Sequence, residues 1–466
     1  VRLKVKTKTV FICTNCEAES YKWQGYCTNC GEWNTLEEKI VSKKDQKVRK
    51  NQTTSSVAKK IQPLSKVPVN SSERIVTGIK EFDRVMGGGI VRDSLSIITA
   101  KPGAGKSTLL LQVAGELAKK GLKILYASGE ESESQIKNRA DRIFSTIDDN
   151  LLVYCDNNLN NVVANVNQAD PDLIILDSIQ TFIMPDVSDS RAGSPTQTME
   201  CANGMLQLAK DTKRPRAVIM VGQMTKKDEM AGLRALEHLV DAVLIIEGEN
   251  EEELRGLSVS KNRFGSTWER GFFTMSEKGL VSIDNPSEFF MTKRDSGELV
   301  PGSALTVIRD GSRSIIVEVE SLVSHSFTPY PSRICECIPK DQLNTLISVL
   351  EQKSGVMLYD KNVVLKSTGG LRLKEQSVNL CVVMSIVSSV KNKGILGNTA
   401  FVADVGLTGE LKKVPTLEQR IRELDRMGFD RVFVAKNDVH IKQKYDNIEV
   451  CQCKNIQDVI RMLFSL

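Results

Sequence analysis

The stretch AKPGAGKST, Ala100 to Thr108, ends an apolar run (LSIITA) and opens a helix-like one (LLLQVAGELAKKG). It meets the phosphate-cradling pattern G-x-x-x-x-G-K-[ST] everywhere except at the first position, where Ala100 stands in place of glycine. Gly103 and Gly105, on either side of Ala104, permit the left-handed turns that aim backbone N–H groups at phosphate. Lys106 is placed to reach the β- and γ-phosphates, Ser107 to hold Mg²⁺, and Thr108 to start the helix. Alanine can enter such a loop if its φ is negative. A chance glycine-rich turn is the competing reading, and the strand before and helix after count against it.

Carboxylates that such a loop would need lie at the ends of other apolar runs. DLIILD ends in Asp177, a Walker-B-type acid suited to the water shell of Mg²⁺. LYASGEES carries Glu130 and Glu131 just past a strand, where a carboxylate can orient and deprotonate the attacking water. An exposed helix-capping acid is the alternative for either glutamate, and Glu130 is favoured as the base.

A second chemistry sits near the N-terminus. CTNC (Cys13, Cys16) and CTNC (Cys27, Cys30) are two close thiolate pairs that can meet tetrahedrally around Zn²⁺ and leave no open position. Trp23, Tyr26 and Trp33 could provide the little apolar cover that a metal-folded ribbon requires. Such a site is structural and indicates a binding module. Free or redox-active cysteines are the alternative.

Several elements must hold these groups. From Ile75 to about Asp284, LSIITA, LKILYAS, LLVYC, LIILD, AVIMVG and AVLIIEG alternate with helical patterns. Continuous apolar runs separated by helices indicate an α/β fold with a parallel sheet covered on both faces. Beyond it, RSIIVEVESLV reads as a strand, 340–352, 375–392 and 415–427 as helices, and FVADV and RVFVA as short strands. The expected organisation is a zinc ribbon at 1–36, a polar linker at 37–70, an ATPase domain at 71–285 and a further α/β domain at 286–466.

The chain has 466 residues, 41% hydrophobic and 26% charged, enough for two or three domains with real cores. It lacks the long apolar run of a membrane helix and the pattern of a signal peptide, so a cytoplasmic protein with no membrane partner is expected. Of the net charge of +5, residues 1–70 contribute 14 Lys/Arg against 6 Asp/Glu, and the rest of the chain is slightly acidic. A basic N-terminal region suits nucleic acid or an acidic partner; a solvated tail is the alternative.

The four-cysteine ribbon, the phosphate loop, the pentapeptide KNRFG (Lys261 to Gly265) and the later GGLRL together resemble the bacterial RadA/Sms DNA-repair proteins over nearly the whole chain. The resemblance implies a RecA-like ATPase core followed by a Lon-protease-like domain. It also implies an ATP-driven homo-oligomeric ring, a hexamer, acting on single-stranded and branched DNA beside a RecA-type recombinase, in branch migration and the processing of strand-exchange intermediates. In that setting Lys261 and Arg263 can project across a subunit boundary as an arginine finger does; a solvated strand end is the alternative.

Two loops would then face the ring's pore, one with Arg191 and one with Lys226, Lys227 and Arg234, cations suited to tracking phosphate. Gln223 stands where the family usually places a histidine. Lys366, Arg372 and Lys374 around GGLRLK are further candidate phosphate contacts. Ser377 falls where a Lon-type nucleophile would be, but Glu418 occupies the position of the lysine that such a dyad needs, so a helix-start role is expected. An ATP-binding switch without turnover, and less readily an ATP-regulated serine peptidase, are the competing functions.

Overall fold

In the computed structural model the described residues are 74–464 without 188–189, 224–232, 249–252, 293, 295–297, 437–444 and 446, plus 7–13, 19–20, 25–26, 36–42, 63 and 65. Two compact units result, Val1–Asn70 and Ser71–Leu466. In the first, Thr7–Cys13 is the central strand of a small antiparallel sheet, flanked by Glu19–Ser20 and Leu36–Ser42.

The second unit holds two large sheets. The strands of the first are β1 (Leu95–Ala100), β2 (Ile124–Ser128), β3 (Leu151–Cys155), β4 (Leu173–Asp177), β5 (Ala217–Gln223), β6 (Ala242–Glu247), β7 (Leu254–Asn262), β8 (Arg270–Ser276) and β9 (Gly279–Ser282), in the order β9-β8-β7-β6-β1-β5-β4-β2-β3. β6, β1, β5, β4, β2 and β3 run parallel, and β7 to β9 extend the sheet antiparallel from β6.

The apolar runs are continuous because both faces are covered. Ile98, Ile124, Ile175 and Ile219 pack under the helices Lys106–Lys119 and Glu133–Ile143. Their neighbours Ile97, Leu125, Ile174 and Met220 pack under Leu159–Ala169 and Pro195–Ala209. Alternation along each strand sends successive side chains to opposite cores.

The second sheet contains β10 (Ser303–Asp310), β11 (Arg313–His325), β12 (Arg333–Cys335), β13 (Lys361–Ser367), β14 (Thr399–Val402), β15 (Arg431–Ala435) and β16 (Glu449–Cys453), in the order β12-β13-β11-β10-β14-β15-β16. The helices Lys340–Ser354 and Asn379–Lys391 cover one face, and Leu417–Arg426 covers part of the other. FVADV is not one strand: Ala403 separates β14 from the two-residue strand Asp404–Val405, which pairs with Leu411–Lys412 instead.

The sheets are joined through side chains. Phe272 of β8 packs edge-on against Phe290 (ring centroids 5.6 Å apart) inside the second sheet's core. Arg313, at the β10–β11 turn, reaches the buried Glu81 carboxylate, which also accepts the Phe272 N–H (2.9 Å) and pairs with Arg84. Among the described residues, no helix is long and apolar enough to cross a membrane.

Candidate functional site

Parallel strands end together, so the polar residues that follow them gather at one sheet edge. Ala100 of β1 pairs with Gln223 of β5, and Ser128 of β2 pairs with Asp177 of β4. Four strand ends therefore meet at the start of the helix Lys106–Lys119.

The loop between β1 and that helix has the backbone its sequence requires. Gly103 (φ 81°) and Gly105 (φ 99°, the residue that caps the helix) are left-handed. Ala100 is fully buried, belongs to the strand, and is not among the positive-φ residues. A methyl group there meets no backbone penalty, which satisfies the condition on which the substitution is tolerated.

The Lys106 ammonium is folded back onto the loop carbonyls of Ala100 (3.0 Å) and Lys101 (3.3 Å). Burial lowers its pKa below the usual lysine value of 10.5, opposed by the charges of Asp177 and Glu130. A desolvated cation held in a glycine-turned loop fits a polyphosphate, which would replace both carbonyl contacts with charged ones. Ser107 and Asp177 supply the hard oxygen donors that suit Mg²⁺. The strand β5 lies between β1 and β4, so the metal-type carboxylate approaches from across a strand rather than from next to the loop.

Glu130 is the better placed of the two glutamates. Its Oε1 accepts from Ser178 Oγ (2.5 Å) and from Gln223 Nε2 (2.9 Å). Glu131 is instead tied to Arg139 in an ion pair on the next helix. The peptide joining Asp177 to Ser178 is cis.

Three contacts escape a reading of the sequence alone. Tyr126 is fully buried and donates its hydroxyl to Asp177 Oδ2 at 2.5 Å; burial, with Asp177 beside it, pushes its pKa well up, so the phenol stays neutral. Its signal is a phenol within an apolar strand, LKILYAS. Ser178 holds Glu130 and was marked only by following Asp177. Gln223 touches the Glu130 carboxylate, and only the place of β5 between β1 and β4 puts it there.

KNRFG lies at the opposite sheet edge. β7 is antiparallel, so Asn262 pairs with Ala242, which in turn pairs with Ser96 at the start of β1. Lys261 donates to the carbonyls of Glu237 and Val240 (the latter at 2.8 Å), and burial lowers its pKa. Arg263 pairs with Asp241 (3.1 Å), a buried carboxylate that also accepts the Leu95 N–H (3.0 Å) and pairs with Lys210 (3.0 Å).

The remaining candidates are dispersed. Arg191 is exposed on the loop after β4. Lys226 and Lys227 lie outside the described residues, and Arg234 is described only as part of the helix Leu233–Leu239. Arg372 and Lys374 line one cleft of about 340 Å³ with Arg270 and Glu247, whereas Lys366 pairs with Glu320 (3.5 Å) elsewhere on the sheet. Cys16, Cys27 and Cys30 lie outside the described residues, and Cys13 is described only as the end of a strand.

Ser377 is buried in a short turn before the helix Asn379–Lys391. It donates to Glu375 (2.9 Å) and accepts from Arg420 (3.3 Å). A guanidinium stays protonated and cannot act as the base of a dyad. Glu418 is exposed and lies 3.9 Å from Arg422.

A glycine-looped phosphate cradle, acids on neighbouring parallel strands and an intervening strand define a RecA-like P-loop ATPase. A model of the AAA domain family matches residues 62–229, and one of the rubredoxin metal binding domain matches residues 11–38, which contain all four N-terminal cysteines. The DNA repair protein RadA of Listeria monocytogenes is 40% identical over 434 residues, 93% of each chain. RadA of Bacillus subtilis is 38% identical over 98% of each chain, and RadA of Streptococcus pyogenes 39% over 99% of this chain and 100% of its own. The chain belongs to the RadA family of DNA repair proteins, with an AAA-type ATPase domain and an N-terminal zinc ribbon.

Proposed function

We propose that this protein hydrolyses ATP in a DNA-dependent manner as a homo-oligomeric ring, a hexamer, moving on single-stranded DNA, and that it promotes branch migration beside a RecA-type recombinase. Residues 71–285 form the motor and 286–466 a non-proteolytic, Lon-protease-like platform for DNA and assembly. Cys13, Cys16, Cys27 and Cys30 hold Zn²⁺ within residues 1–36, and 37–70 is a linker.

The observation that carries the ring is the position of KNRFG. It leaves the sheet at the Ser96 end of β1, while the phosphate loop leaves at Ala100. At about 3.3 Å per residue the two are roughly 13 Å apart along the strands and about 10 Å apart across them. Lys261 and Arg263 are therefore poised for a neighbouring copy's nucleotide rather than their own.

Within one site, Lys106 and the loop amides bind the phosphates, and Ser107 and Asp177 would hold Mg²⁺, which when bound would supply charge to offset that developing on the phosphate. Glu130, oriented by Ser178 and Gln223, takes the proton of the attacking water. Arg191, Lys226, Lys227, Arg234, Lys366, Arg372 and Lys374 contact DNA phosphate.

The test is ATP turnover with and without single-stranded DNA for the wild type, Lys106→Ala, Arg263→Ala and a mixture of the two variants. DNA-stimulated turnover that each variant abolishes, and that mixing partly restores, supports a site shared between copies. Nucleotide binding without turnover in any DNA condition would leave an ATP-responsive scaffold.

A further inference from the structure

The segment ICECIPK, Ile334 to Lys340, joins the edge strand β12 to the helix Lys340–Ser354. Its two thiols lie together: Cys335 Sγ is 4.0 Å from Cys337 Sγ. Cys335 is partly exposed and accepts the Ile338 N–H at 3.3 Å, one turn ahead of the helix. Cys337 is buried, 3% exposed, in the core of the second sheet. A reachable sulfur with stabilising donors and a sheltered sulfur at its side make up an attacking thiol and a resolving one.

The pair is also wired to a loop. The Cys337 carbonyl accepts the Leu373 N–H at 2.7 Å, and Leu373 is buried between Arg372 and Lys374. That loop turns through Gly369 (φ 73°) and Gly370 (φ 69°), where Ser367 Oγ also donates to the Leu371 carbonyl at 2.6 Å.

We propose that Cys335 and Cys337 are a redox-active dithiol, oxidised by hydroperoxides to a disulfide, and that closing this bond displaces the loop carrying Arg372 and Lys374. The Cys335 thiolate attacks the peroxide; an S–O bond forms, the O–O bond breaks and an alcohol, or water from hydrogen peroxide, leaves with a proton. Cys337 sulfur then attacks Cys335 sulfur; the S–S bond forms, the S–O bond breaks, and hydroxide departs as water with the Cys337 proton. Two thiols are oxidised as one peroxide is reduced, and a dithiol reductant reverses the change. The sulfurs must close from 4.0 Å to a bonding distance of about 2.05 Å. Whatever part of that approach the Cys337 backbone takes up moves the carbonyl that holds Leu373.

The other described thiols lack this setting. Burial pushes Cys155 up to about 11 and Cys201 up to about 12. The Cys337 S–H and the Ile338 N–H instead draw Cys335 below the ordinary thiol range, while Cys337, desolvated beside it, is raised. The consequence for DNA rests on the role proposed above for Arg372 and Lys374; the thiol chemistry does not.

The test uses the full chain. At pH 7, Cys335 should react with iodoacetamide on the order of a hundredfold faster than Cys155. After hydrogen peroxide and a maleimide quench, the tryptic peptide Ile334–Lys340 should carry an internal disulfide that dithiothreitol reverses. In Cys337→Ser, dimedone should instead trap a sulfenic acid on Cys335. Amide exchange across 369–374 should change on oxidation of the wild type and not of Cys335→Ser. Equal alkylation rates, or a peptide still alkylated at both sulfurs after peroxide, would overturn the dithiol; a disulfide with unchanged exchange at 369–374 would overturn its coupling to the loop. Neither readout needs ATP or DNA, so failure here leaves the proposed motor untouched.

Discussion

Gly105→Ala, set against Ala100→Gly, separates the glycine the phosphate loop needs from the one it lacks. Gly105 has φ 99° and ψ 16°, where a Cβ costs about 1–2 kcal/mol. The added methyl would also lie 2.7 Å from Met275 Cε and 3.0 Å from Leu280 Cδ1. Both are ends of flexible side chains that can turn aside, so backbone strain dominates. The loop has two responses. If it keeps its shape, the cost falls on the stability of the empty protein; if it relaxes to negative φ, the amides turn from the phosphate and the cost falls on binding. The two losses should sum to about 1–2 kcal/mol, so a full shift into affinity weakens ATP binding by roughly 5- to 30-fold. Ala100→Gly should cost about 0.5–1 kcal/mol of strand stability and leave ATP affinity within about twofold. Calorimetric titration with a non-hydrolysable ATP analogue, beside thermal unfolding of the empty proteins, reads both quantities. Wild-type affinity and stability in Gly105→Ala, or a large gain in affinity in Ala100→Gly, would refute the reasoning.

Other consequences follow from particular contacts. Lys106→Met should abolish ATP turnover yet raise the stability of the nucleotide-free protein at pH 7, because it removes a charge that burial disfavours. The wild type binds fewer protons folded than unfolded once pH passes the lowered Lys106 pKa, so its stability recovers as pH climbs toward 10.5 and the variant's advantage fades; melting temperature against pH checks this. Atomic absorption should find roughly one equivalent of zinc in the wild type and lose it in Cys27→Ser, with nucleotide binding by the second unit left intact. Ser377→Ala should cost about 1 kcal/mol in thermal unfolding, since Arg420 keeps Glu375 at 2.8 Å and the Pro415 carbonyl at 3.2 Å. A fluorophosphonate probe should leave Ser377 unlabelled; labelling there would revive the peptidase reading.

Local rules fixed much of this protein in the chain itself. β1 and β4 begin and end where the apolar runs LSIITA and LIILD do, because burial on both faces demands an unbroken run and its end is sharp; β3 follows LLVYC although it is a half-buried edge strand. The phosphate loop was legible for the same reason: its geometry depends on adjacent residues, and Gly103, Gly105 and Lys106 need no distant partner to declare it. Pairing between strands far apart in sequence was not legible. The antiparallel extension β7–β9 carries no mark that distinguishes it from further parallel strands, and it alone turns KNRFG to the far edge of the sheet. Gln223 meets Glu130 because β5 inserts between β1 and β4, and Tyr126 meets Asp177 because β2 lies beside β4. Composition and spacing decide which residues can do chemistry, since those are local covalent facts; which of them touch is decided by sheet order, which the whole core settles at once.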